Sequence, residues 1–523
     1  MSGNIVENDA TGGVNGVSTV TINNGGTLDM MPAGDTVPGD ITVDKLNFGV
    51  CTLTNYGTLS LSTLVVTSPQ TVFTVYSGQA LAPAAKGVVG TLAVTGGLTL
   101  AGGTLDFDLV TPGVNDVINV SGTLTLSGVN SVNLSASGGA LAPGTYTLMN
   151  YGLLVGDTNN LQVSGALLNS RYTFDFDTNT VPSINLTVGG STSNLTWSGD
   201  GAANLWNLKS AANWNSQTAQ FFDLDSVTFD DTSANLLVNL AGTLQPASVT
   251  VASANNYSFA GSGKLSGSST LTLNGTGTLT LGTANDLSGA VNVNAGTLLV
   301  NGALGNGPVT VASGATLGGT GAILGPVTVQ SGGTFSPGAS IGTLAVSNNL
   351  VLADGSTTVF EANLTTLAQD QVIGLNSVTY GGTLSLALSG RPVVASDTFK
   401  LFSATTVANP IWLYSPYAGA FSSIVPATPG TDLGWNTSTL ATDGTLRVVS
   451  TTSPAFTTQV SGTQLTLSWP ADHIGWRLQR QINAAGVGLT TAWVDLAGFT
   501  TTNSVTVTVN PANGSVFYRL VYP

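Results

Sequence analysis

A short phrase recurs in the middle of the chain, and its spacing constrains the fold more than any other feature. Pro308-Val309-Thr310-Val311, followed by Gly314-Ala315-Thr316-Leu317, returns about 18 residues later as Pro326-Val327-Thr328-Val329, followed by Gly332-Gly333-Thr334-Phe335. Val291-Asn292-Val293-Asn294-Ala295-Gly296-Thr297-Leu298 precedes both as the same phrase. Each phrase alternates aliphatic with polar side chains, turns at glycine, and gives another short strand. One such unit cannot bury its apolar face alone, whereas stacked units bury it against each other. The repeat is too short for the helix of a βαβ crossover, so it predicts one rung of a parallel β-solenoid per repeat over residues 259 to 346. Antiparallel hairpins would use similar strands; the nearly equal steps between Thr297, Thr316 and Thr334 favour rung-on-rung stacking.

Composition points to the same class. Charged residues make up 7% of the 523 residues, with 66 glycines and 42% hydrophobic residues, against roughly 25% charged residues in ordinary soluble domains. Many of the hydrophobic residues are β-branched or Leu, which argues for a folded all-β body rather than disorder. The net charge of -15, with cations as scattered as Lys45, Lys86, Arg171, Lys209, Lys264, Arg391 and Lys400, excludes a nucleic-acid interface. Cys51 is the single cysteine, which rules out a disulfide within the chain; with no basic neighbour to activate it, it reads as a small buried apolar group. No signal peptide is visible at Met1-Ser2-Gly3-Asn4 and no apolar run reaches transmembrane length, so a mature form without a membrane span is expected.

Four segments follow along the chain. Residues 1-16 are a polar, Gly-rich N-terminal arm. Residues 17-190 read as a first β-solenoid body, and residues 191-450 as a second with a Trp-rich cap. Residues 452-523, with short alternating strands such as Leu465-Thr466-Leu467-Ser468-Trp469 and Val505-Thr506-Val507-Thr508-Val509, fit a small C-terminal β-sandwich. An internal duplication overlies the small repeat. Gly90-Thr91-Leu92-Ala93-Val94 and Asp116-Val117-Ile118 are answered by Gly342-Thr343-Leu344-Ala345-Val346 and Asp370-Gln371-Val372-Ile373, an offset of about 250 residues. Thr145-Tyr146-Thr147-Leu148 is answered likewise by Thr398-Phe399-Lys400-Leu401.

The phrases Gly275-Thr276-Gly277-Thr278-Leu279 and Val291 to Leu298, with Gly318-Gly319-Thr320-Gly321 and Phe335-Ser336-Pro337-Gly338, resemble the autotransporter-associated β-strand repeat of secreted bacterial proteins. In that family such repeats form stalk-like β-helical passengers on the cell surface, so the resemblance implies a secreted, extracellular or cell-surface protein of a bacterium. From Trp469 to Pro523 the chain is similar to a C-terminal module of secreted proteins of the Verrucomicrobia. An outer-membrane barrel finds no room after residue 450, so secretion through a barrel of its own is not expected.

Chemistry is sparse. His473 beside Asp472 reads as a surface turn rather than a catalytic dyad, and no His or Cys cluster builds a zinc site. Asp106 and Asp108 share a strand face around Phe107, which reads as a solvated or rung-to-rung hydrogen-bonding face. The chain is therefore expected not to be an enzyme, and no catalytic residue is assigned. The acidic cluster Asp223, Asp225, Asp230 and Asp231 is a candidate for structural calcium. Trp206, Trp214, Trp412, Tyr414 and Trp435 are candidate glycan contacts, with a cap over the repeat body as the plainer reading of the first two. The leading expectation is a structural subunit of an extracellular fibre or surface layer, joined to itself head-to-tail through terminal strands. A glycan-binding surface adhesin is the alternative, and a β-helical polysaccharide-degrading enzyme a more distant one.

Overall fold

The computed structural model describes residues 72–522 except 137–140, 179, 181, 405–414, 501 and 511, together with the strands between residues 14 and 66. Most of the N-terminal arm, Cys51, Trp412 and Tyr414 lie outside the described residues. What is described is all-β apart from three 3-10 turns and the single helical turn Leu440–Asp443. No helix among the described residues is long and apolar enough to cross a membrane. The chain forms two compact units: Met1–Leu195 with Leu208–Ala212 and Ala219–Val227, and Thr196–Asn207 with Asn213–Thr218 and Thr228–Pro523.

In the first unit, parallel strands stack so that apolar residues form columns. One column runs Leu59, Leu81, Leu105, Val132 and Val163, each in register with the next, and a second runs Leu64, Val94, Val120 and Tyr151. All of these side chains are buried. Period-2 alternation produces this result: every second residue points inward, and a parallel register sets like above like. The parallel run stops at Gly144–Val155, where Ser183–Gly189 pairs antiparallel and carries Thr173–Asp177 on its other edge.

The second unit is a solenoid-like stack whose rungs place strands in three sheets. On the first, Val249, Leu271, Val291, Val309, Val327, Leu350 and Val378 form one buried column. On the second, Leu279, Leu298, Leu317 and Phe335 stack inward while Thr278, Thr297, Thr316, Thr334, Thr357 and Thr383 form a continuous outer ladder. The third carries Leu304, Ile323 and Val346. Corners are tight enough to require glycine: a Cβ on Gly307 would lie 1.9 Å from the Gly289 carbonyl oxygen, and one on Gly325 2.0 Å from that of Gly307. The glycines that punctuate each phrase thus stack on one another.

This unit also ends in antiparallel pairing. Thr398–Lys400 pairs with Thr445–Ser450, which pairs with Leu433–Asn436. The Tyr380 hydroxyl donates to the Leu440 carbonyl at 3.1 Å, tying the helical turn to the stack. Beyond it, residues 457–521 form two three-stranded antiparallel sheets around Leu467, Trp469, Leu478 and Val505. Trp476 Nε1 donates to the Ser450 carbonyl at 2.9 Å, and Asn436 Nδ2 to the Ile474 carbonyl at 3.1 Å, so these sheets are held to the closing strands.

Candidate functional site

The described surface of the second unit is indented beside the hairpin Thr357–Asn363 and Ala368–Gln369, and the indentation is built around one buried carboxylate. Asp370 follows the hairpin directly. Its Oδ1 accepts from the Gly342 N–H at 2.8 Å and its Oδ2 from the Glu361 N–H at 2.6 Å, linking strands of two different sheets, 343–346 and 357–363. Burial pushes this carboxyl up to about 6; the two N–H donors pull the other way, and the Glu361 charge adds to the rise. Held there, Asp370 fixes the residues on either side of it, Gln369 and Gln371.

Both glutamines line a cleft of about 730 Å³. Its far wall is the segment 391–400, where the Arg391 guanidinium grips Asp397 with two bonds, NH1 to Oδ2 at 2.9 Å and NH2 to Oδ1 at 2.5 Å. Burial pushes Asp397 up, but the guanidinium and the Val394 N–H outweigh it and hold the carboxyl below its usual range. Gln369 Nε2 donates to the Lys400 carbonyl at 2.9 Å, and Lys400 Nζ donates to the Asp443 carbonyl. The charges on this wall are therefore internally engaged. Two lining residues, Leu367 at φ 59° and Ser396 at φ 80°, sit in left-handed backbone, a conformation that side chains other than glycine adopt at a cost.

The first unit has the counterpart of the carboxylate without the cleft's loop. Asp116 accepts from Gly90 N–H at 2.6 Å and Asp108 N–H at 2.8 Å, and burial pushes it up to about 6 as well. Its hairpin pairs Leu109 with Asn115 and Thr111 with Val114, turning over Pro112-Gly113. In the second unit Asn363 pairs with Ala368, leaving Leu364–Leu367 as a longer tip that forms one lip of the cleft. Gln369, Gln371, Arg391 and Asp397 were not among the residues singled out from sequence. The signal in the sequence was slight: Glu361 and Asp370 stand nine residues apart where Asp108 and Asp116 stand eight, so the second hairpin is longer by one residue.

The residues singled out from sequence fall elsewhere. Trp206 and Trp214 are fully buried, as is Trp197, and with Phe229 and Phe259 they form one aromatic cluster whose ring centroids lie 4.8 to 5.9 Å apart. Rings with no exposed face offer nothing to a glycan, so these two belong to the core, not to a sugar platform. Trp435 is half-buried and donates from Nε1 to the Pro426 carbonyl at 2.8 Å. In the first unit Asp223 and Asp225 are buried; Asp225 accepts from Arg171 Nε at 2.8 Å and from the Ser193 and Phe222 N–H groups. In the second, Asp230 accepts from Thr232, and Asp231 from Ser253 Oγ and the Asn255 side chain. Among the described residues no three His, Cys, Asp or Glu side chains gather as a metal site. His473 is buried between Asp472, at 2.6 Å from Nδ1, and the Thr452 carbonyl, at 2.7 Å from Nε2. Asp106 Oδ1 accepts from Asn133 Nδ2 of the next strand at 2.9 Å, a rung-to-rung bond.

No family model matches the chain. Over 127 residues, 23% of its length, the chain is 40% identical to the adhesin BmaC autotransporter of Brucella suis biovar 1 (strain 1330). The matched stretch covers 4% of that adhesin, so the chain corresponds to a small part of it. The likeness is partial, and it is to a bacterial autotransporter adhesin.

Proposed function

We propose that this chain is the β-solenoid portion of a bacterial surface adhesin, displayed outside the cell, that attaches by binding glycans. The observation that carries the reading is the 40% identity to an autotransporter adhesin over 127 residues. The fold is suited to the task. Stacked rungs hold loops at fixed positions on a rigid scaffold, and outer ladders of threonine and asparagine keep the stack soluble with few charges. A surface with 7% charged residues has little for salt to screen.

The fibre or surface-layer reading draws less support. Head-to-tail joining through terminal strands calls for a parallel edge that a second copy can continue. In each unit the parallel run is followed by antiparallel strands, 183–189 in one and 445–450 in the other. The polysaccharide-degrading reading draws none from the cleft, where Asp397 is gripped by Arg391. We read the two halves as copies of one module, a parallel stack closed by antiparallel strands, with residues 452–523 as a β-sandwich appended to the second.

The test is adhesion itself. Beads coated with the full chain are expected to attach to mammalian cell monolayers, and enzymatic removal of surface glycans should abolish attachment. Beads that attach no better than albumin-coated ones would overturn the reading.

A further inference from the structure

We infer that the cleft beside Asp370 is a binding site for an uncharged oligosaccharide. The inference rests on the adhesin reading and assigns that reading a place on the molecule.

The lining carries the argument. The Gln371 amide and the Thr343 and Thr398 hydroxyls have no hydrogen-bond partner among the described residues, and Asn363 uses only its Oδ1, accepting from the Thr365 and Thr366 N–H groups. These are amide and hydroxyl groups, able both to donate and to accept, gathered in one concavity. A ligand matching them is dense in hydroxyls. It is also uncharged: the lining carboxylate and guanidinium, Asp397 and Arg391, neutralise each other, and the Lys400 ammonium is committed to the Asp443 carbonyl rather than left free at the opening. The volume of about 730 Å³ falls in the range of sites for small ligands.

An extended peptide is disfavoured by the same geometry. Strand 357–363 is paired along its whole length with 383–389 and at its two ends with 334–335 and 368–369, and strand 371–375 lies between 343–346 and 402–404. The edge strands that do line the cleft, Ala368–Gln369 and Thr398–Lys400, are only two and three residues long, too short a ladder for an extended peptide to continue. Leu367, 74% exposed at the lip, supplies an apolar surface for the C–H face of a sugar ring. Its left-handed backbone and that of Ser396 mark the two sides of the opening as places where local strain is retained.

The experiment is a glycan array probed with the full chain, followed by calorimetry on the neutral glycan bound best. Gln371→Ala and Thr398→Ala should each weaken affinity by about tenfold, the value of one well-placed hydrogen bond, with unchanged unfolding midpoints. Thr310→Ala, on an outer ladder away from the cleft, should leave affinity unaltered, and binding should be indifferent to salt. A glycan bound equally by wild type and both cleft variants would overturn the site and leave the adhesin reading standing. Cell attachment with a blank array would overturn the site together with the glycan part of the adhesin reading, pointing to a protein receptor. Preference for anionic glycans with strong salt dependence would also overturn it.

Discussion

Asp116 and Asp370, about 250 positions apart, are bonded alike atom for atom. Each carboxylate takes the N–H of the glycine that opens a Gly-Thr-Leu-Ala-Val strand and the N–H of an acidic residue on the second strand after it. Each also returns its own N–H to that acidic residue's carbonyl, Asp116 to Asp108 at 2.9 Å and Asp370 to Glu361 at 2.8 Å. A single side chain thereby satisfies two backbone donors, one at a strand start and one within a strand.

Replacing either carboxylate by an amide turns one acceptor into a donor facing an N–H. Asp116→Asn and Asp370→Asn are each expected to lower unfolding free energy by about 2 kcal/mol. Asp354→Asn, at an exposed turn, should stay within about 0.5 kcal/mol of wild type. Equal denaturation midpoints for all three would show that the clasp contributes nothing.

The same two groups set a pH dependence. Burial raises both from 3.8 to about 6. The folded chain therefore binds their protons more tightly than the unfolded chain does. The stability they contribute is fully present below about pH 4 and is lost as pH rises through about 6, beyond which it is flat. Asp108 and Glu361, the charges nearest each, push in the same direction. Urea midpoints should fall between about pH 4 and pH 7, and the double Asn variant should flatten the slope. A midpoint rising across this window in wild type would contradict the assignment.

Corner glycines differ in what they tolerate. Gly307→Ala drives a methyl group into the Gly289 carbonyl and should destabilise by about 3 kcal/mol. Gly314→Ala, at φ +78° with nothing within 4 Å, should cost about 1 kcal/mol. Thermal unfolding of both variants checks the order; the reverse order would mean that the rungs are not stacked at this spacing.

Trp206→Ala removes a fully buried ring from the aromatic cluster and is expected to cost about 4 kcal/mol. Glycan binding by the molecules that remain folded should be unchanged. A stable variant that has lost binding would return this tryptophan to the ligand site.

Arg171 faces Asp225, whose side chain is fully buried. Arg171→Ala strands that carboxylate and should destabilise the first unit by about 3 kcal/mol, partly recovered when Asp225→Asn is added. A cost confined to a few tenths, measured by chemical denaturation, would show that the pair is screened.

Much of the stack was legible in the sequence because the relevant information is local and repeats. Val291, Val309 and Val327 had to point the same way, and the steps between Thr297, Thr316 and Thr334 had to become a ladder, since alternation fixes which side chains share a face and a constant repeat fixes the register. The equivalence of Asp116 and Asp370 was visible as a word order. What the word order lacked was partners: the N–H groups that Asp116 holds belong to residues 26 and 8 positions away, which meet it only when neighbouring rungs close.

The tertiary structure alone decided exposure and direction. Trp206 and Trp214 have the composition of a sugar platform, and only the packing of Phe229 and Phe259 against them makes them core. The strands 183–189 and 445–450 alternate like their predecessors, and only their pairing shows that they run the other way. The cleft arises from a four-residue hairpin tip, Leu364–Leu367, and a distant Arg391–Asp397 pair meeting across a rung. Period and polarity are written residue by residue; burial, strand direction and concavity belong to surfaces that exist only once the chain has folded.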